Sequence, residues 1–124
     1  MAIRHETSSA ELFQLVVGLE SDLPIAMLLF DDSEGRVFMR FRPNLSELVG
    51  EDQLEVIAGV EDHLVTLIRD DGARSVVRWM EETLSGFVRL VGPLSIQRPL
   101  NWKESLDDAY ARYIENGNAL AVTD

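Results

Sequence analysis

The chain has 124 residues, no cysteine, and 22 acidic side chains against 11 basic ones, for a formal net charge of −11. That excess argues against nonspecific binding to nucleic acid or to an anionic membrane, both of which are held by surplus Lys and Arg. Without cysteine there is no disulfide framework, thiolate nucleophile or thiolate metal site, and two histidines, His5 and His63, rule out most histidine-rich metal sites.

A hydrophobic fraction of 46% is that of an ordinary globular chain. It supports one domain over residues 1–124, with residues 1–9 and 117–124 expected to be flexible ends. No apolar run approaches the roughly 18 to 20 residues of a membrane helix. The longest, Leu23 to Phe30, is strand-sized and carries Pro24. Met1 to Ala10 lacks the apolar core of a signal peptide, so the cytoplasm is the expected location.

Residues Ala10 to Glu20 read two ways. Positions 12, 13, 16 and 20 are weakly helical, whereas Phe13, Leu15 and Val17 alternate, and the β-branched pair Val16–Val17 tips the reading toward a strand. Leu23–Phe30 and Arg36–Arg42 then flank the turn-forming segment Asp31-Asp32-Ser33-Glu34-Gly35, which predicts a β-hairpin. On the second strand Val37, Met39 and Phe41 alternate with Arg36, Phe38, Arg40 and Arg42, the period of a strand with one buried face. Pro43 should end it.

Asn44-Leu45-Ser46-Glu47 has the form of a capping box ahead of a short helix that stops at Gly50. A longer helix is predicted over about 51–70, with Leu54, Ile57, Val60, Leu64, Leu67 and Ile68 on one face and Glu51, Asp52 and Glu55 near its positive end. Another is predicted over about 73–84, burying Val76, Val77, Met80 and Leu84. Gly86 to Val91 reads as a returning strand, and Pro93 and Pro99 bound an extended stretch. Asn101-Trp102-Lys103-Glu104 is a second capping box, opening a helix to about Glu115. This order predicts an α+β fold, a small antiparallel sheet of 3–4 strands with helices packed on one face.

Candidate chemistry is sparse. Glu61-Asp62-His63 is the sole acid–histidine cluster, but helix neighbours point in different directions and do not converge on one atom. It reads as solvated helical surface. Asp31 to Gly35 is too short for a calcium loop, which needs alternating oxygen ligands and a terminal bidentate Glu. The glycines are scattered singly, so no phosphate loop is present, and no serine sits in a nucleophile elbow. No catalytic residue, metal or cofactor is assigned.

The stripe Arg36, Arg40, Arg42, interleaved with Phe38, is a concentrated positive feature in a negative chain. It could clamp an anionic or phosphorylated group bidentately. Internal pairing with carboxylates on a neighbouring element is the weightier alternative. Trp79 and Trp102 serve either the core or a binding surface.

Several short motifs resemble those of a small bacterial family of unknown function (domain of unknown function 3037). Leu29-Phe30-Asp31 with Gly35-Arg36 is similar to that family's LFD-x-x-G-R hairpin turn, with one extra turn residue. Leu84-Ser85-Gly86-Phe87-Val88-Arg89-Leu90 is similar to its L-S-x-x-x-R-L segment, and Leu106 to Ile114 to its acidic terminal helix. Such proteins are often encoded beside HipA-like kinases. The resemblance therefore implies an accessory or antitoxin-like partner role and no catalytic residue.

The leading expectation is a non-enzymatic acidic interaction module of antitoxin, immunity or accessory-subunit type. It would bind a basic partner protein through Glu51, Asp52, Glu55, Glu61 and Asp62, with Trp79 or Trp102 as anchor. A homodimer is compatible with this composition. One alternative is a type III secretion-like chaperone, which requires a helix over Ala10 to Glu20. Another is an enzyme or ligand-binding domain that takes a phosphorylated or nucleotide substrate on the Arg36, Arg40, Arg42 face.

Overall fold

A computed structural model describes residues 9–19, 22–31, 33–70, 72–84, 86–116 and 120. Three strands come first: β1 (Ser9–Gly18), β2 (Asp22–Asp31) and β3 (Arg36–Phe41). Two helices follow, α1 (Glu51–Asp70) and α2 (Ala73–Thr83), then β4 (Val88–Gln97) and α3 (Trp102–Tyr110), which runs on as a π-helical turn, Ala111–Glu115. All strand pairings are antiparallel, and the sheet order is β3-β2-β1-β4. The α+β fold with a small antiparallel sheet is thus as predicted, and the first segment is a strand.

The helices, however, cover both faces of the sheet. On one face Phe13, Leu15, Leu28 and Phe30 pack under Ile57 and Leu64 of α1 and Val76 and Met80 of α2. On the other, Leu12, Met27 and Leu29 pack under Leu106, Tyr110 and Ile114. The physical reason lies in the two central strands. Leu12 to Val17 and Ile25 to Phe30 are buried without interruption, so each strand is apolar on both sides and needs cover on both. Only Gln14 breaks the apolar run. Its side-chain amide donates to the Tyr113 carbonyl at 3.2 Å, in a last helical turn whose carbonyls lack intrahelical donors.

Local signals held unevenly. Asn101 caps α3 as predicted, its Oδ1 accepting from the Glu104 N–H at 3.0 Å. Asn44 does not cap: its backbone is left-handed (φ 61°), its side chain makes no cap bond, and the residues after it form a single 3-10 turn, Leu45–Glu47. The start of α1 is tied down instead by Gln53, whose Oε1 accepts from the Gly50 N–H at 2.8 Å. The strand predicted to stop near Val91 continues to Gln97 through Pro93. Proline is tolerated there because β4 is an edge strand and its register against β1 shifts between Leu12 and Gln14.

The predicted flexible ends concern residues 1–8, 117–119 and 121–124, which lie outside the described residues, as does His5. Ser9 already belongs to β1, and Leu120 is buried in the α3-side core. No helix among the described residues is long and apolar enough to cross a membrane. The chaperone alternative requires a helix over Ala10 to Glu20, but the chain there is strand β1 as far as Gly18.

Candidate functional site

Two surfaces carry the residues singled out from the sequence, one on each side of the sheet. The first is the outer side of α1. At about 100° per residue, Glu51, Glu55, Asp62 and Val65 fall in one stripe, with Asp52 and Val56 beside it. All six are exposed, Val56 at 50% and Val65 at 46%. Among the described residues none of these four carboxylates lies in an ion pair.

Glu61 departs from its neighbours. It lies on the inner flank of α1 near Ile57 and Leu64 and is half-buried. Burial, and secondarily the Asp62 charge, push its carboxyl above the ordinary carboxylate range. His63 is exposed, with its ring 4.5 Å from that of Trp79. The acid–histidine cluster therefore splits three ways, as helix geometry requires. Trp79, half-buried on α2, lies against His63 of α1, whereas Trp102 opens α3 on the opposite face of the sheet.

The second surface gathers around Asp31. The alternation of β3 sends Val37, Met39 and Phe41 to the α1 side and Arg36, Phe38 and Arg40 to the α3 side. The predicted arginine stripe is real, but each guanidinium has a partner. Arg40 is 2.9 Å from Asp107 and 3.9 Å from the Tyr110 ring centre. Arg42 donates to the Pro24 carbonyl at 2.9 Å. Arg36 reaches Asp31 Oδ2 through Nε at 3.0 Å and Nη2 at 2.6 Å.

A fourth arginine, absent from the sequence-level candidates, completes this cluster. Arg98, just past β4, donates from Nη1 to Asp31 Oδ1 at 2.8 Å and to the Ser33 hydroxyl at 2.8 Å, and from Nη2 to Asp31 Oδ2 at 3.3 Å. The Ser33 hydroxyl and the Glu34 N–H also donate to Asp31 Oδ1, and Gly35, at φ 68°, closes the turn. The hairpin turn is thus a seat for the Asp31 carboxylate. Asp32 lies outside the described residues.

Asp31 is wholly buried, which by itself would raise its pKa. The hydrogen bonds from Arg98, Arg36, Ser33 and Glu34 outweigh burial and hold the carboxyl far below the usual carboxylate range. The aromatic pair Phe38–Trp102, stacked with ring centres 5.5 Å apart, walls the cluster. Arg36 lies 5.4 Å from both ring centres and Arg98 lies 4.9 Å from that of Trp102.

Asp31 and Arg98 are 67 positions apart, so no local pattern joins them. The available signal was an unexplained Arg between Gln97 and Pro99 and an Asp at the start of a turn. Among the described residues no three His, Cys, Asp or Glu side chains gather as a metal would need. Compared with known protein families, with curated proteins and with solved structures, the chain has no match.

Proposed function

We propose that the protein is a non-enzymatic acidic interaction module that binds a basic partner protein through the outer side of α1. The observation that supports this most is the exposed stripe of Glu51, Asp52, Glu55 and Asp62, in no ion pair among the described residues, with Val56 and Val65 among them. Surface carboxylates are often matched by nearby cations or scattered; here four of them share one helix side with two uncovered valines. Charge of one sign steers an oppositely charged partner and raises its association rate, while the valines supply apolar area once it docks. Trp79 at the margin of this surface is the candidate anchor; Trp102, across the sheet, belongs to a different surface. The antitoxin-like or accessory role implied by the family resemblance, acting in the bacterial cytoplasm, is one form of this reading.

The tagged chain, incubated with native lysate, should retain a basic protein in stoichiometric amount at low salt and release it at high salt, because contacts between exposed charges are screened. No retained protein at either salt, or one held equally at both, contradicts the proposal.

A further inference from the structure

The cluster around Asp31 places two guanidiniums on one carboxylate, and among the described residues no other carboxylate lies within 4.0 Å of either. Within that distance two guanidinium charges share one carboxylate. Of the ten N–H donors that two arginines carry, the bonds to Asp31 and Ser33 engage about half. Arg36 remains 47% exposed and Arg98 29% exposed, so the pair keeps an open side. Asp31, wholly buried, holds both planes in place, and the Phe38–Trp102 stack fixes them from the flank. A ligand arriving there meets donors whose conformational ordering is already complete.

We propose that the open side of the Arg36–Arg98 pair binds a small oxyanion carried on an apolar group, an aryl or alkyl carboxylate or phosphate ester, with the apolar group against the open edge of the half-buried Trp102. Guanidinium forks match planar carboxylates and phosphate oxygens, and an indole edge packs against an aromatic ring. This site lies on the opposite face of the sheet from α1 and stands or falls independently of the partner-binding proposal.

The chain has only two tryptophans, so two indole N–H signals report on it in a nitrogen–proton NMR spectrum, assigned with Trp102→Phe. Benzoate, phenyl phosphate, acetate and inorganic phosphate are titrated into the full chain at constant ionic strength. The expected result is a saturable shift of the Trp102 signal with the Trp79 signal still. Benzoate or phenyl phosphate should bind at least threefold more tightly than acetate or inorganic phosphate, and the better of the two identifies the oxyanion. Arg98→Lys, which keeps the charge but loses the fork, should weaken binding about tenfold. A Trp102 signal that never saturates, shifts shared equally by both tryptophans, aryl probes that bind no more tightly than acetate and inorganic phosphate, or an affinity unchanged in folded Arg98→Lys would each overturn the proposal.

Discussion

Asp31 shows how one side chain can tie together distant parts of a chain. Its carboxylate joins the β2–β3 turn to Arg98 at the far end of β4. Of the five hydrogen bonds that the Arg36 and Arg98 guanidiniums make, four end on Asp31, so Ala there leaves only the bond from Arg98 to Ser33, and breaking a buried ion pair costs about 3–5 kcal/mol. Because Arg36 and Arg98 are themselves partly solvated, Asp31→Asn should fall at or below the lower end of that range in urea unfolding. The pH dependence follows from the depressed pKa. The ordinary value is 3.8, so the unfolded chain takes up a proton near there while the folded chain resists. Stability from Asp31 is full above that value and is lost as pH falls below it. The gap between wild type and Asp31→Asn should therefore be constant from neutral pH to about 5 and shrink at lower pH. Glu61 carries the opposite sign. Its raised pKa makes the ionised form unfavourable in the fold, a penalty that appears as pH rises above the ordinary 4.5. Glu61→Gln should raise the melting temperature at pH 7 and not at pH 4.

At the scale of elements, two glycines give opposite predictions. Gly92 sits at the register shift of β4 with φ 123°, and a Cβ there would lie 2.9 Å from the Leu12 carbonyl oxygen and 3.3 Å from Phe13. Gly92→Ala combines backbone strain with a clash against the central strand, and should cost about 1–3 kcal/mol or more. Gly59 lies on the exposed side of α1, and a Cβ there meets nothing within 4 Å. Gly59→Ala should stabilise by up to about 1 kcal/mol through helix propensity alone. Both are read by thermal or urea unfolding. Element identity was largely legible in the residues, because period-two and period-3.6 patterns report directly on which side of an element is dry. The β3 alternation and the inner face of α1 are the clearest cases. Asn44 shows the limit: its capping motif is met in sequence, yet the chain enters the turn left-handed and the box does not form. Pro93 shows another, since whether proline ends a strand depends on whether that strand is an edge, which β4 alone does not reveal.

For the whole molecule, what the chain pattern left hidden is mainly what crosses between elements. The two-sided cover of the sheet was readable in principle, since a strand such as Ile25 to Phe30 with no polar position has no face to offer water. The Asp31–Arg98 link was not, because a pair 67 positions apart leaves no periodic trace. The acidic stripe of α1 is the converse case. Its spacing was visible in the sequence, and the fold decides which of its members face outward, keeping Glu51, Asp52, Glu55 and Asp62 and turning Glu61 toward the core. The resulting molecule has an acidic helical surface on one side of the sheet and an arginine–aromatic cluster on the other. The central claim is that the first of these surfaces selects a basic protein. The most direct test compares three tagged chains in lysate capture: wild type, a variant with Glu51→Gln, Asp52→Asn, Glu55→Gln and Asp62→Asn together, and a control neutralising the exposed α2 pair, Glu81→Gln and Glu82→Gln. Circular dichroism confirms folding, since removing the two acids of the first turn weakens α1 by about 0.3–1 kcal/mol each. The account predicts that wild type and control retain the same basic protein and that the four-carboxylate variant loses it by at least tenfold. Equal retention by all three chains, or loss in the α2 control as well, would contradict it.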